Sequence, residues 1–442
     1  MDILFLVIFL SFFTINAFIY PWTGVDIRRF SIPSFFLLFY LVFVSLGPFI
    51  LFYGLAAYPV SMGVVEKDII FMMMLYSNIS LTLILLGFVY SRHVLGLRIG
   101  VEGFHGYYSS NFLQRWGGHC LLLVCLIILW IYLSKIDAIA LFELFDGGSQ
   151  QAAVARSNMG SAFPGKYWRY KLFFRYLLDY CVVFYFSDFL IRRAPLSLLA
   201  FGLSFVFAVF TAIMAIEKGP FIKLVLLLYL AYVYFKGGKY WLPITKYFCF
   251  LGLGGLVVLY FYFMDAPDFF SVLQYISTRI FTGQIVPAYF YIDLFPEQID
   301  FLWGRSLPNP GRIFPFEPFP LTQTVSNYMF PQDAVRGIVG SAPTVFWGEM
   351  YANFGVLGVC LSSFCLGVVL YFVSFIFFSI SISAPMMALV ATASLHYRDL
   401  VGTGLSSYLF DVKLFILVFV TGVLSLFGKK FCFMTRSEIR MK

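Results

Sequence analysis

Apolar stretches close to 20 residues long recur along the whole chain, broken by short polar turns, near 3–20, 34–55, 69–90, 117–134, 172–191, 196–216, 220–235, 242–263, 354–380 and 408–427. A helix rising 1.5 Å per residue crosses a bilayer core of roughly 30 Å in about 20 residues, so each is a membrane-span candidate. An eleventh stretch, Pro385 to Leu395, covers only about 16 Å as helix. Either it continues through Arg398, or it is re-entrant and carries Arg398 and Asp399 into the outer half of the membrane. The pattern predicts an all-α, polytopic integral membrane protein with about 11 transmembrane helices, forming one membrane domain over residues 1–442. Two longer polar segments interrupt it, 135–171 and 265–342.

The second of these is the more informative. It has 78 residues, nine of the chain's 19 prolines, four arginines (Arg279, Arg305, Arg312, Arg336) and many aromatics. Unstructured loops of that length are uncommon, and one so apolar is no disordered linker, so it is expected to fold against the membrane surface. It leads into Gly340-Ser-Ala-Pro-Thr-Val-Phe-Trp-Gly-Glu-Met-Tyr-Ala-Asn-Phe-Gly355. Pro343 suits a first helical turn, and one continuous helix is predicted from there over 343–380.

Composition sharpens the class. The chain is 61% hydrophobic and 12% charged, against about 25% charged in soluble proteins. The first stretch has only Asp2 before it and no small-residue cleavage site after it, so it reads as a retained helix, not a signal peptide. Basic residues then set the orientation. With the N-terminus out and the C-terminus in, inside segments collect fifteen of the 30 Lys and Arg, including Arg28, Arg29, Arg92, Arg98, Arg115, Lys236, Lys239 and Lys246. Short outside loops keep only Lys67, Lys218 and Arg398. The two long polar segments become two larger extracytoplasmic loops. The net charge of +8 is thus a topology signal, and no basic soluble domain offers itself to nucleic acid.

Several chemistries are disfavoured. None of the seven cysteines falls in an outer loop, and neither they nor the four scattered histidines have metal-ligand spacing. Gly96, Gly100, Gly103 and Gly106 do not form a phosphate-cradling loop between strand and helix. No cofactor is expected. An energy-rich substrate must reach this protein another way, for instance already attached to a lipid.

Four groups of residues remain. Glu349 and Asn353 share a helix face, with Thr344 slightly out of phase and Gly348, Gly355 and Gly358 allowing close approach. A carboxylate there suits a general base or a sugar-hydroxyl contact, or it caps a helix or pairs with a loop arginine. Seven cations, Arg156, Lys218, Arg279, Arg305, Arg312, Arg336 and Arg398, oppose the positive-inside trend and suit an anion-binding cleft. The competing account pairs them with Asp293, Glu297, Asp300, Glu317 or Asp333. His396-Tyr-Arg-Asp399 puts polar groups at membrane depth, for function or for structural contacts with Asp411 or Lys413. Within spans, Arg175 and Asp179 are spaced as a helical ion pair, and Lys223 and Lys413 lie near enough to span ends to snorkel.

These features together resemble the bacterial O-antigen polymerases, the Wzy-type oligosaccharide repeat-unit polymerases. The resemblance lies in Arg279-Ile-Phe-Thr-Gly-Gln284 running on to Phe301-Leu-Trp-Gly-Arg305, in Gly340-Ser-Ala-Pro-Thr344 with Glu349, Tyr351 and Asn353-Phe-Gly355, and in Lys218-Gly-Pro220 opening a span. Some members carry an Arg with Gly eleven residues on in each outer loop; here Arg156 is followed at that offset by Tyr167 and Arg305 by Phe316. The resemblance implies a GT-C-like glycosyltransferase architecture in the bacterial inner membrane. It implies transfer of a growing glycan from undecaprenyl diphosphate onto a fresh lipid-linked repeat unit at the periplasmic face. Glu349 would then act as base with Asp399 in reserve. Arg279, Arg398, Lys218 and Arg156 would hold the diphosphate, and Asn353, Arg305, Trp303 and Tyr351 the sugars. Its partners would be the lipid-linked donor and acceptor, membrane lipids, a chain-length regulator and a flippase, with no metal. The rivals are an O-antigen ligase, a lipid-linked oligosaccharide flippase or transporter, which predicts pseudo-symmetric halves and a mid-membrane cavity, and an acyltransferase using His396.

Overall fold

The computed structural model describes residues 2–99, 107–108, 110–146, 148–160, 163, 165–240, 243–264, 268–335, 340–379, 382–409 and 411–426. Every predicted apolar stretch is helical within them. The helices are α1 (Asp2–Thr23), α2 (Ile32–Phe52), α3 (Lys67–His93), α4 (Phe112–Leu133), α5 (Gly148–Met159, in the first long loop), α6 (Leu178–Arg192), α7 (Pro195–Ile213), α8 (Lys218–Phe235), α9 (Thr245–Met264), α10 (Phe269–Phe281), α11 (Val286–Leu294), α12 (Leu321–Met329), α13 (Phe346–Phe378), α14 (Ala384–Arg398) and α15 (Val412–Leu426). Six of them, α1, α2, α3, α4, α7 and α13, are long and apolar enough to cross a membrane, while α8, α9 and α15 contain shorter apolar helices. Among the described residues the fold is helical apart from a two-residue parallel pairing, Tyr107–Tyr108 with Ile382–Ser383, and an isolated antiparallel bridge between Arg29 and Lys239.

Local chemistry places several helix starts. Ser31 and Ser34 form a reciprocal capping box at the head of α2, and Asn111 and Gln114 form another at α4, each satisfying two orphan N–H groups. Asp268 accepts from the Ser271 N–H at the start of α10, and this bond draws its carboxyl below the usual range. Two helices loosen into π-helical turns, Leu41–Ser45 within α2 and Leu172–Leu177 before α6. The second corrects the predicted Arg175–Asp179 ion pair. A π turn adds a residue to the repeat and rotates Arg175 away from the four-residue alignment, and Arg175 Nη1 and Asp179 Oδ1 are both buried without a hydrogen-bond partner.

The centre of the bundle is the crossing of α3 and α13. A Cβ added at Gly87 would sit 2.6 Å from the Phe364 carbonyl oxygen, and Gly367 has no room for one against the Ile84 backbone. Small residues let the two backbones touch here. Ser363 donates to Ser80 across the same contact (2.8 Å).

Helix α14 takes the first of its two predicted forms, continuing through Arg398. Thirteen of its 15 residues are buried, which accounts for its length and its many small residues. It is packed inside the bundle against α6, α8 and α15 and needs no lipid-facing surface.

The long insert folds into α10, α11 and α12 joined by turns, with α11 buried against α3 and α13. Two expectations about the segment after it are corrected. Pro343 does not start a helix. Ala342 donates to Thr322 O and accepts from the Tyr291 hydroxyl, and Thr344 Oγ1 donates to Gln284 O, so the strand of chain at 342–344 is tied to the insert and α13 begins at Phe346. Nor is α13 continuous: Gly355 has φ 59° and ψ −147°, a conformation essentially confined to glycine. Just before the break the Ala352 and Asn353 carbonyls accept from the Leu302 and Trp303 N–H groups of the insert (both 3.0 Å).

Candidate functional site

Segments far apart in sequence meet at one end of the bundle around a cavity of about 1340 Å³. It is bounded by α5, the turn between α7 and α8, α9, α10, the extended piece before α13 and the turn after α14. Four cationic side chains line it, Arg156, Lys223, Arg279 and Arg398, against two carboxylates, Glu217 and Asp399. Beyond this charged mouth the walls are apolar, with Val225, Leu226, Phe248, Leu253 and Leu256 between α8 and α9. The lining runs along α8 from Gly219 to Tyr229, about 15 Å of helix. The cavity is therefore amphiphilic, cationic at its mouth and greasy in its depth.

The sequence of α8 explains one wall. Pro220 fits the first helical turn, where no N–H is needed. Gly219, Ile222, Lys223 and Leu226 recur at the three- and four-residue spacing of one helix face, and all four line the cavity. Lys223 does not simply snorkel. Its Nζ lies 2.6 Å from Asp399 Oδ2, which also accepts from the Tyr408 hydroxyl (2.7 Å). Arg398 Nη2 lies 3.1 Å from Asp399 Oδ1, and its guanidinium covers the Phe39 ring at 4.8 Å. Thr403 Oγ1 donates to the Asp399 carbonyl. Asp399 sits in the 3₁₀ turn just past α14. Burial pushes its carboxyl up, but Arg398, Lys223 and the Tyr408 hydroxyl outweigh that and hold it below the usual range. It is an ionised anchor for two cations, with three donors already on it. The contacts with Asp411 or Lys413 anticipated for this pair give way to Lys223 and Tyr408, while Asp411 and Lys413 pair with each other (2.7 Å).

Arg156 and Arg279 differ from Arg398. Neither has a hydrogen bond or ion pair among the described residues, although both line the cavity. The acidic partners proposed for the loop arginines do not engage them. Asp293 accepts from the Tyr328 hydroxyl, and Glu297, Asp300 and Glu317 form no ion pair among the described residues. The side chains of Lys218 and Asp333, and all of Arg336, lie outside the described residues.

A second group of predicted residues gathers elsewhere. Glu349 is buried and does not line the cavity. Its carboxylate accepts from Ser406 N (3.1 Å), Ser406 Oγ (2.5 Å) and Ser306 Oγ (3.4 Å), and it lies against Gly404, where a Cβ would strike it. Asn353 donates to Ser306 Oγ (2.7 Å) and accepts from Gly304 N (3.0 Å). Together they clamp the Leu302–Ser306 turn and the 404–406 segment to α13. Tyr351 is buried and donates to Phe295 O (3.2 Å), and Arg305 Nε donates to Leu302 O (3.2 Å). Trp303, 75% exposed with φ 48°, stands edge-on to Phe354. The two groups connect through residues 399–406, one end of which lines the cavity while the other is held by Glu349. His396 lies outside both: its Nε2 is 2.6 Å from Tyr408 O and its ring stacks on Tyr408.

Sequence reasoning read Lys223 only as near enough to a span end to snorkel, and it did not single out Glu217. For Glu217 no signal in the sequence marks which way the turn points. Among the described residues no three His, Cys, Asp or Glu side chains are grouped to hold a metal ion. No family model matches the chain, and no curated protein or solved structure matches it either, so the geometry of this cavity carries the functional reading.

Proposed function

We propose that this protein is a membrane glycosyltransferase that uses a lipid-diphosphate-linked sugar, and that it acts as a polymerase of oligosaccharide repeat units at the periplasmic face of the bacterial inner membrane. The observation carrying this reading is the amphiphilic cavity, lined by Arg156 and Arg279, whose side chains have no ion pair among the described residues, by the anchored Arg398 and Lys223, and by apolar side chains of α8 and α9. A polyprenyl diphosphate has the same division into anionic head and apolar chain. Arginines bind phosphate oxygens in pairs of parallel hydrogen bonds. Cations placed where negative charge grows on a departing diphosphate lower the barrier to its departure. The clamp around Glu349 and Asn353 positions the 399–406 wall, and the exposed aromatics of the insert offer faces to sugar rings.

The orientation that goes with this reading has eleven crossings, N-terminus outside and C-terminus inside. It is supported by contacts between segments it assigns to the same side. Lys67 Nζ pairs with Asp2 (2.9 Å), while Phe30 N and Tyr240 N bond to Gly238 O and Arg28 O. The cavity mouth gathers residues from both long outer loops.

A flippase for the same lipid is the second reading, favoured by the cavity's depth, which reaches Tyr229 and Thr245. One preparation separates the two. Cys249 lines the cavity and is exposed, so a protein retaining only this cysteine can be labelled with a maleimide in nanodiscs. Polyprenyl diphosphate is expected to slow labelling, polyprenol is not, and Arg156→Ala/Arg279→Ala removes the protection. Given lipid-linked oligosaccharide, the protein is expected to build a ladder of longer glycans. Lipid translocation in vesicles with no elongation supports the flippase instead. No protection at all removes the lipid-diphosphate reading.

A further inference from the structure

We propose that Glu217 is the general base of this site, taking the proton from the sugar hydroxyl that attacks the lipid-linked donor. The inference rests on the glycosyltransferase reading above and names the residue that performs its proton transfer.

Three carboxylates lie in or next to the site, and their surroundings differ. Asp399 already accepts from Lys223, Arg398 and Tyr408. Glu349 accepts from Ser306 and twice from Ser406, and does not line the cavity. Glu217 lines the same cavity as Arg156 and Arg279, is part-exposed, and has no hydrogen bond or ion pair among the described residues. It stands at the N-cap position of α8 yet makes no side-chain cap bond to that helix. A base needs lone pairs within reach of the substrate proton. Asp399 and Glu349 each commit most of their acceptor capacity to three donors, whereas the Glu217 carboxylate accepts none among the described residues.

The backbone before it points the same way. Ile216 has φ 55°, the left-handed region that costs an L-residue about 1–2 kcal/mol and that a β-branched residue rarely enters. Ile216 itself lines the cavity. The turn is held in this form by the first long loop: Leu141 N donates to Met214 O (3.1 Å), and Ile216 packs in a cluster with Met159 and Phe163. Strain of this kind persists where the surroundings over-determine it, and it clusters at functional sites. Ile216 N also donates to Ile213 O (2.8 Å), so the left-handed residue closes the C-terminal turn of α7 immediately before Glu217.

Charged and titratable groups surround this carboxylate from several elements. Arg156 of α5 and Lys223 of α8 line the same cavity, and the Glu217 charge reaches Tyr132, Tyr167 and Lys171. Burial lowers the Lys171 ammonium, opposed by Glu217 and reinforced by Arg175, Lys413 and Lys223. In the proposed step the acceptor hydroxyl oxygen bonds to the anomeric carbon as that carbon's bond to the diphosphate oxygen breaks. The electron pair leaves with the lipid diphosphate, facing Arg156 and Arg279, and the hydroxyl proton passes to the Glu217 carboxylate and later to water.

The test uses the full chain in nanodiscs, with lipid-linked oligosaccharide as substrate and Cys249 protection by polyprenyl diphosphate as a separate binding readout. Glu217→Gln is expected to cut transfer by about 100-fold or more with protection unchanged, and Glu217→Asp to recover part of the rate. Transfer within about threefold of wild type in Glu217→Gln overturns the assignment, as does loss of protection in both variants in parallel with transfer. Wild-type protein that shows neither protection nor transfer overturns the underlying reading, and the assignment with it.

Discussion

At the scale of single residues, Asp399 organises the cavity mouth. Replacing it with Asn leaves Lys223 and Arg398 without their counter-charge. Breaking a fully buried pair costs roughly 3–5 kcal/mol. Lys223 is half exposed and can turn to water, so Asp399→Asn is expected to cost less, about 2–3 kcal/mol, read as a lowered unfolding temperature in detergent. The pH dependence has a definite sign. A carboxyl held below its ordinary range contributes fully above the unfolded value and loses that contribution as pH falls through the depressed one. Wild-type stability should therefore be insensitive to Asp399 between about pH 5 and 8 and fall in stronger acid, and the variant should lose that acid limb; an equally steep acid limb in both proteins contradicts the network. Residues of this kind were only half legible. The cations were visible as exceptions to the positive-inside trend. Their partners were not, because Lys223 and Asp399 lie 176 positions apart and Ser406 and Glu349 lie 57 apart, and no local pattern encodes such pairs.

At the scale of elements, packing at the α3–α13 crossing depends on glycine at two facing positions. Gly87→Leu must push a side chain into the Phe364 backbone, and overpacking of this sort costs typically about 1–3 kcal/mol. Reduced yield of folded protein and a lower unfolding temperature are expected, while Gly54→Leu, at a position open around its Cα but with φ 63°, tests backbone strain without crowding. Equal effects at the two sites would argue that crowding contributes nothing. Helix existence was legible throughout, since every apolar stretch of the sequence is a helix. Helix form was not. The π turns, the late start of α13 and its break all come from tertiary ties, such as Thr344 to Gln284 and Leu302 to Ala352, that periodicity does not register. The weak apolar signal of α14 had a physical meaning of its own: a helix buried on all sides can be short and rich in alanine.

At the scale of the whole molecule, the two long loops and the turns at 217–223 and 398–403 contribute to one cavity. Under the proposed orientation, single cysteines at Asn309 and Lys239 should label from opposite sides of intact membrane vesicles with an impermeant maleimide. Labelling of both from one side would refute the proposed orientation. Basic-residue counts predicted this arrangement because they act on whole loops. The cavity was beyond their reach, since it is assembled from segments as far apart as Phe39 and Thr403, whose meeting depends on how the bundle closes.

The break at Gly355 divides α13 into two pieces that both pack on α3, the first through Trp347 and Tyr351 against Tyr76 and the second through Gly367 against Ile84; the first is also tied to the insert. The bilayer acts on the second piece, and a thicker or thinner membrane changes its tilt. Glycine torsions at the junction let the two pieces differ in direction, while Tyr76 and Tyr40 keep the first piece, with its Glu349 clamp, on α3 and α2. Wild-type binding of polyprenyl diphosphate is thus expected to vary little across nanodiscs of different acyl-chain length, and Gly355→Ala, which stiffens the junction, to make it steeply thickness-dependent. The protein would then work alike in membranes of differing composition because the break, and not the clamp, takes up the change.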